Sequence, residues 1–454
     1  MADSEPPGPP GPPLPARPSS PAFAGAVGRL TLLNVAVTAV GVVSGTLQAR
    51  ALGPRGRGDL AAIVIPLFFL AWIGDLGLGL YVRREAARTT TVGRLVGTIG
   101  VVVFGLGVVL AVVLQPAVGS VAGDRDVVRL WLTVGLVLLP VNLVGSVLLN
   151  VAFGLERWEL WIRARLVVTV GWAVVLAVLY GAGHLTVGAA AATLAGLTVL
   201  SHLPLLAVLA RARPLRFDRR LARDAVPFAA RAWLASLTNL FNMRLDQLLM
   251  VGLVGSRELG LYVVAVTLAG IPGSFSSAVG LAILPRVVRE GEEVVPRAVR
   301  TVILVVLAAG AVIAAGAWPL IELVVGDRFA DALPMIWILL LAEVPLAGTI
   351  TLGQAFIGAG RPGQAAWAEG TAVGVTVVGL LLLVGPLGGL GAAIVSLVAY
   401  SVSFGYLLVQ ARTQFHSRVR GFLVPTPADA RWGMGELRRV LSAARRKGRP
   451  ASTG

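Results

Sequence analysis

Five side chains between Arg231 and Asp246 have the types and spacing to bind an anion and to exchange a cation. At about 100° per residue, Arg231, Thr238, Asn239, Asn242 and Asp246 fall within roughly a quarter of a helix circumference. A guanidinium matches phosphate oxygens bidentately, amides hydrogen-bond phosphate or sugar oxygens, and a carboxylate can hold a proton or a cation. Arg244 lies on the other side of the same helix, where it pairs with an acid on a neighbouring helix or binds an anion. A milder polar stripe, Asn34, Thr38, Gly41 and Gln48, occurs near the N-terminus. Arg231, Arg244, Asn239, Asn242, Asn34 and Gln48 are therefore candidate substrate-binding residues. Three acids are candidates for ion coupling: Glu343 beside Pro345, Asp246, and Asp75 in the glycine-rich "GDLGLG". For Arg231 the competing reading is snorkelling to a nearby interface. For Asp75 it is a helix-capping role.

These polar residues lie in very apolar surroundings. The 454 residues are 56% hydrophobic and 14% charged, with a mean hydropathy of +0.83. A soluble domain carries nearer a quarter charged residues. Apolar runs of 18 or more residues recur along the chain, as expected of membrane-spanning helices. A charge at the centre of such a helix costs at least ~2.5–3.5 kcal/mol, so it is kept where it meets water, a partner or a substrate. The chain has no cysteine, and its three histidines, His184, His202 and His416, are not spaced as a metal pair. No metal site and no cofactor are expected.

About twelve spans are legible, at 24–47, 60–83, 93–117, 127–153, 164–181, 185–210, 225–254, 259–284, 300–321, 334–357, 364–384 and 388–410. With the N-terminus in the cytoplasm, 30 of the 39 Lys and Arg fall on the inner side. Seven fall outside, namely Arg50, Arg55, Arg57, Arg125, Arg129, Arg257 and Arg328, while Arg231 and Arg244 lie within the seventh span. That bias predicts a protein of the cytoplasmic membrane with both termini in the cytoplasm. The net charge of +16 is thereby assigned to orientation and to contact with anionic inner-leaflet lipid, not to nucleic acid.

An internal repeat divides the chain. At a constant offset of 202, Gly53 meets Gly255, Arg55 meets Arg257, Gly58 meets Gly260 and Arg84 meets Arg286. The expected fold is an all-α polytopic membrane protein, with two pseudo-symmetric six-helix lobes related by an axis along the membrane normal. The N-lobe is 24–210, and a basic cytoplasmic linker with six arginines occupies 211–224. The C-lobe is 225–410. Residues 1–23 read as a disordered proline-rich tail. Residues 411–454 read as a basic tail containing either a helix on the anionic leaflet or a solvated segment. Two such lobes would enclose a central cavity lined by both polar stripes.

The same residues carry a resemblance. "ARALGPRGRG" (Ala49–Gly58), "GDLGLGLYVRREAAR" (Gly74–Arg88) and "NMRLDQLLMVGLVGSRELGLYVVAVTLAGIPGSFSSAVGLAILPRVV" (Asn242–Val288) resemble the polysaccharide-repeat flippases of the MOP exporter superfamily. The matching positions are Asp246, Gly255, Gly260, Tyr262, Ala265 and Pro285. Arg57 departs from the pattern, standing where that family usually has an aromatic residue. The resemblance implies translocation of an undecaprenyl-diphosphate-linked oligosaccharide, with the polymerase and glycosyltransferases of its pathway as partners. A lipid II flippase is the nearest alternative. A MATE-type cation-coupled drug exporter would need an acid in the first span, which has none. A membrane-bound glycosyltransferase or polymerase usually has a large extramembrane region, and the longest connection here is about 14 residues.

Overall fold

The computed structural model of the protein describes residues 21–88, 91–212, 214–273, 276, 283, 287–288, 291–415 and 419–424. Among them there is no strand. The first half contributes α1 (Pro21–Asp75), α2 (Leu78–Ala86), α3 (Val92–Leu114), α4 (Ala117–Ala122), α5 (Asp126–Gly154), α6 (Trp158–Gly181), α7 (Val187–Leu200) and α8 (Leu206–Arg211). The second contributes α9 (Arg219–Leu253), α10 (Ser256–Ala269), α11 (Val294–Leu320), α12 (Leu333–Gly358), α13 (Pro362–Gln414) and α14 (Val419–Leu423). Eight described stretches are long and apolar enough to cross a membrane, so the chain is a multi-pass membrane protein. The polar α9, with seven charged residues, is not among the eight.

Two of the helices are hairpins. In α1 the break is Gly53, at φ 63° and ψ −178°, a conformation that side chains with a Cβ rarely adopt. Beyond it, the Arg57 Nη1 donates to Gln48 Oε1 at 2.7 Å. Gly41 and Ile65 line one cavity, whereas 24 residues of straight helix would set them about 36 Å apart, so the chain doubles back. The connection expected between the first two spans is therefore a helical corner of almost no length. Gly388 makes the same break in α13, at φ 56°. There, Val395 comes within 2.9 Å of where a Cβ on Gly379 would stand.

The buried side chains sort by end of the bundle. At the end bearing the Gly53 and Gly388 corners, one cluster combines both halves, from Ala49, Leu60 and Leu132 to Tyr262, Phe329 and Ala393. At the other end the core is divided. One cluster there draws on residues between Leu78 and Ala229, and another on residues between Ile283 and Phe422. The halves are thus joined at one end and packed separately at the other. The first-half cluster includes Ala225 and Ala229, so the opening turns of α9 pack with the half that precedes them.

At the joined end the internal repeat becomes a contact. A Cβ on Gly58 would stand 1.7 Å from the Ser256 carbonyl oxygen, and one on Gly260 would stand 1.9 Å from that of Pro54. With the offset of 202, Pro54 corresponds to Ser256 and Gly58 to Gly260. The two contacts exchange with each other, as a two-fold axis requires. Lipid gives helices no hydrophobic drive to associate, so close backbone approach through small residues holds the halves together. A polar latch lies beside it. Ser256 Oγ donates to Asp59 Oδ1 at 2.5 Å, while the Arg125 Nη1 reaches both Asp59 (3.3 Å) and Ser256 Oγ (2.9 Å). Arg50 also crosses between the halves, donating to the Leu323 carbonyl.

The basic linker between the halves is not free chain. Thr98 Oγ1 accepts the Asp218 N–H at 2.9 Å, and the backbone of Ala212, Pro214 and Arg216 lies directly on Gly93 and Gly97 of α3. Asp218 then caps α9 through the N–H groups of Arg220 and Leu221.

Candidate functional site

Below the joined end, a cavity of about 480 Å³ lies between the halves. The first half supplies both arms of the α1 hairpin, including Gln48 and Arg57, together with Thr169 and Trp172 of α6. The second half supplies Arg244 and Gln247 of α9 and Thr267 of α10. Among the described lining residues, the charged ones are Arg57 and Arg244, and none is acidic. The described lining is therefore electropositive.

Arg57 enters it because the Gly53 corner turns the second arm of α1 back beside the first. Its Nε is buried without a hydrogen-bond partner. Arg244 and Gln247 are three residues apart and share one helix face. The Arg244 guanidinium lies 5.5 Å from the centre of the Phe68 ring, within cation–π range.

Asp246 points elsewhere. It accepts a hydrogen bond from the Tyr262 hydroxyl and another from the Gln247 N–H at 2.7 Å. Tyr262 also contacts Ser396 Oγ at 3.3 Å, so this group lies among α9, α10 and α13 of the second half. Asp246 does not line the cavity, which corrects the expectation that its stripe does. Arg231 is likewise absent from the lining. It is exposed, and its Nε donates to the Pro227 carbonyl at 2.9 Å. Among the described residues of α9, Arg244 and Gln247 line the cavity, and Arg231 and Asp246 do not. The side chains of Asn34, Asn239 and Asn242 lie outside the described residues.

The other acids are placed as follows. Asp75 Oδ2 accepts the Gly79 N–H at 3.1 Å across the turn made by Leu76 (φ 45°) and Gly77 (φ 74°), and so caps the start of α2. Glu343 packs against Gly273, and its Oε2 is buried with no hydrogen-bond partner. Neither lines the cavity. Arg57, assigned from sequence to an outer loop, is the functional candidate that pattern reading missed. Its one sequence signal was the departure from an aromatic residue at that position.

The polysaccharide biosynthesis protein family profile matches residues 25–290, more than half of the chain. The chain belongs to that family. The chain also shares its fold with solved transporters. The lipid II flippase MurJ, in an inward closed conformation, superposes with a TM-score of 0.72 at 10% identity, covering 92% of this chain and 97% of that one. A MOP superfamily transporter from Pyrococcus furiosus gives 0.56 at 16% identity, covering 87% and 96%. An inward-facing MATE multidrug resistance transporter of the same superfamily gives 0.56 at 16% identity, covering 93% and 100%. No curated protein matches the sequence. The family member thus has the fold of MOP superfamily transporters.

Proposed function

We propose that the protein flips an undecaprenyl-diphosphate-linked oligosaccharide repeat unit from the inner to the outer leaflet of the cytoplasmic membrane. It is a transporter rather than an enzyme. The observation that carries this reading is the cavity shared by the two halves, whose described lining has Arg57 and Arg244 as its charged residues and no acid. A diphosphate supplies the missing counter-charge. A cationic drug would be repelled, which argues against multidrug export. Lipid II presents the same diphosphate, so a lipid II flippase is the second reading, and the glycan distinguishes the two.

In this account twelve spans form two lobes, with each hairpin helix providing two of them. The divided end carries the basic linker and faces the cytoplasm, where arginines accumulate and anionic lipid lies. In this account the joined end faces outward and the cavity is reached from the inner side. Alternating access requires the joined end to part while the divided end closes. The polyprenyl tail stays in lipid between the lobes, and only the diphosphate and glycan enter the cavity. An anion leaving an inside-negative cell gains about 2.3 kcal/mol per charge per 100 mV, so a dianion gains roughly 4.6 kcal/mol. Asp246 and Glu343, in the second half, are the carboxylates at which proton or cation exchange would add to that gradient. The polymerase and glycosyltransferases of the pathway would act on either side of this step.

The test is reconstitution. Vesicles containing the purified chain and a lipid-diphosphate oligosaccharide should move the glycan to the opposite leaflet, where a lectin or glycosidase reaches it. They should not extrude a cationic dye. Dye export without glycan movement would reverse the assignment.

A further inference from the structure

We propose that Gln48 is a positioning residue that holds the Arg57 guanidinium in the cavity without neutralising it. The inference rests on the diphosphate reading of the cavity and assigns one more residue to it. Gln48 is 4% exposed, and both ends of its amide are engaged. Its Nε2 donates to the Ser44 carbonyl at 2.9 Å, on its own arm of the α1 hairpin. Its Oε1 accepts from Arg57 Nη1 at 2.7 Å, on the other arm. Ser44 is itself tied to the Gly41 carbonyl through its Oγ at 3.2 Å. A chain of fixed partners therefore sets where the guanidinium points.

The choice of an amide has a consequence. A guanidinium in a membrane interior normally acquires a carboxylate, because an uncompensated charge there is costly. Among the described residues, Arg57 has no carboxylate within ion-pair distance, and its Nε is buried without a partner. Glutamine spends one of the five guanidinium donors on orientation and leaves the charge intact. The counter-charge must then come with the ligand. Glutamate at the same place would fit the same space, accept the same hydrogen bond from Arg57 and cancel the charge, while losing the donor to the Ser44 carbonyl.

That difference is the test. The full-length chain in detergent would be titrated with farnesyl diphosphate, a soluble polyprenyl diphosphate, over a range of salt concentrations. In Gln48→Glu the affinity should fall roughly tenfold or more, since a charge-assisted hydrogen bond is lost to an internal pair. The melting temperature should fall less than in Gln48→Leu, because the new ion pair offsets the lost bond to the Ser44 carbonyl, and the salt dependence should flatten as one cationic contact disappears. In Gln48→Leu the charge remains but is no longer held. Affinity should fall by less, with the wild-type salt dependence. Wild-type affinity in Gln48→Glu beside a defective Arg57→Ala would remove the role of Gln48 alone. Equal losses in Glu and Leu variants, matched by lower melting temperatures, would make Gln48 merely structural. Wild-type affinity in Arg57→Ala would remove the diphosphate reading itself.

Discussion

Replacing Arg57 and Arg244 together by alanine should abolish glycan translocation in reconstituted vesicles while leaving a folded, monodisperse protein. Each guanidinium supplies charge-assisted hydrogen bonds worth about 1.5–3 kcal/mol. Either single variant should therefore weaken binding of a polyprenyl diphosphate by roughly ten- to a hundredfold. The double variant leaves the cavity without a charged lining residue among those described. Stability should not suffer in proportion. Arg57 is held without a carboxylate partner, so its removal relieves a desolvated charge instead of breaking an ion pair. Arg231→Ala is the internal contrast. Arg231 is exposed and outside the cavity, so its loss should leave binding near the wild-type level.

The second large effect concerns the joined end. The chain has no cysteine, so a pair introduced at Asp59 and Ser256 supplies the only thiols. Their side chains meet across the two halves at 2.5 Å in the structure. Bridging them with a short, cleavable bis-thiol reagent should stop translocation, because outward opening must separate Gly58 from Ser256 and Gly260 from Pro54. Cleaving the reagent should restore the rate of the untreated double variant. Binding of the polyprenyl diphosphate should survive the bridge, since the cavity reaches the substrate from the divided end. Full translocation in the bridged protein would show that the joined end does not open during transport.

Much of the fold was legible because its signals are long and periodic. Apolar runs repeated along the chain gave a polytopic helical protein. The offset of 202 picked out Gly58 and Gly260, which meet the opposite half through exchanged backbone contacts. The corner at Gly53 was not legible as a hairpin. A glycine at positive φ lets helix run into helix with no loop, and the polar "GPRGRGD" reads as loop from its composition. Arg57 was read as part of that loop, whereas it belongs to the second arm of α1 and lines the cavity. On α9 the described residues divide differently from the expected stripe, for a different reason. Periodicity tells which residues share a face, and it separated Arg244 from Asp246 on the helix surface. It cannot tell which face meets the cavity, because that depends on helices far away in sequence. Asp246 is instead turned toward Tyr262 and Ser396, and Ser396 lies 150 positions further along the chain. Arg244 was left on the side that opens to the cavity. The boundary of the second half was blurred similarly, since Ala225 and Ala229 pack with residues that precede the linker.

The most direct measurement is to locate the substrate. An undecaprenyl diphosphate carrying a photoreactive group beside its phosphates, bound to the full-length chain and illuminated, should label peptides around Gln48–Leu60 and Arg244–Thr267. Excess unlabelled diphosphate lipid should suppress the labelling, and so should the Arg57→Ala, Arg244→Ala variant. Labelling that centres on Arg231 or on Glu343, and persists in that variant, would place the diphosphate outside the cavity and contradict the account.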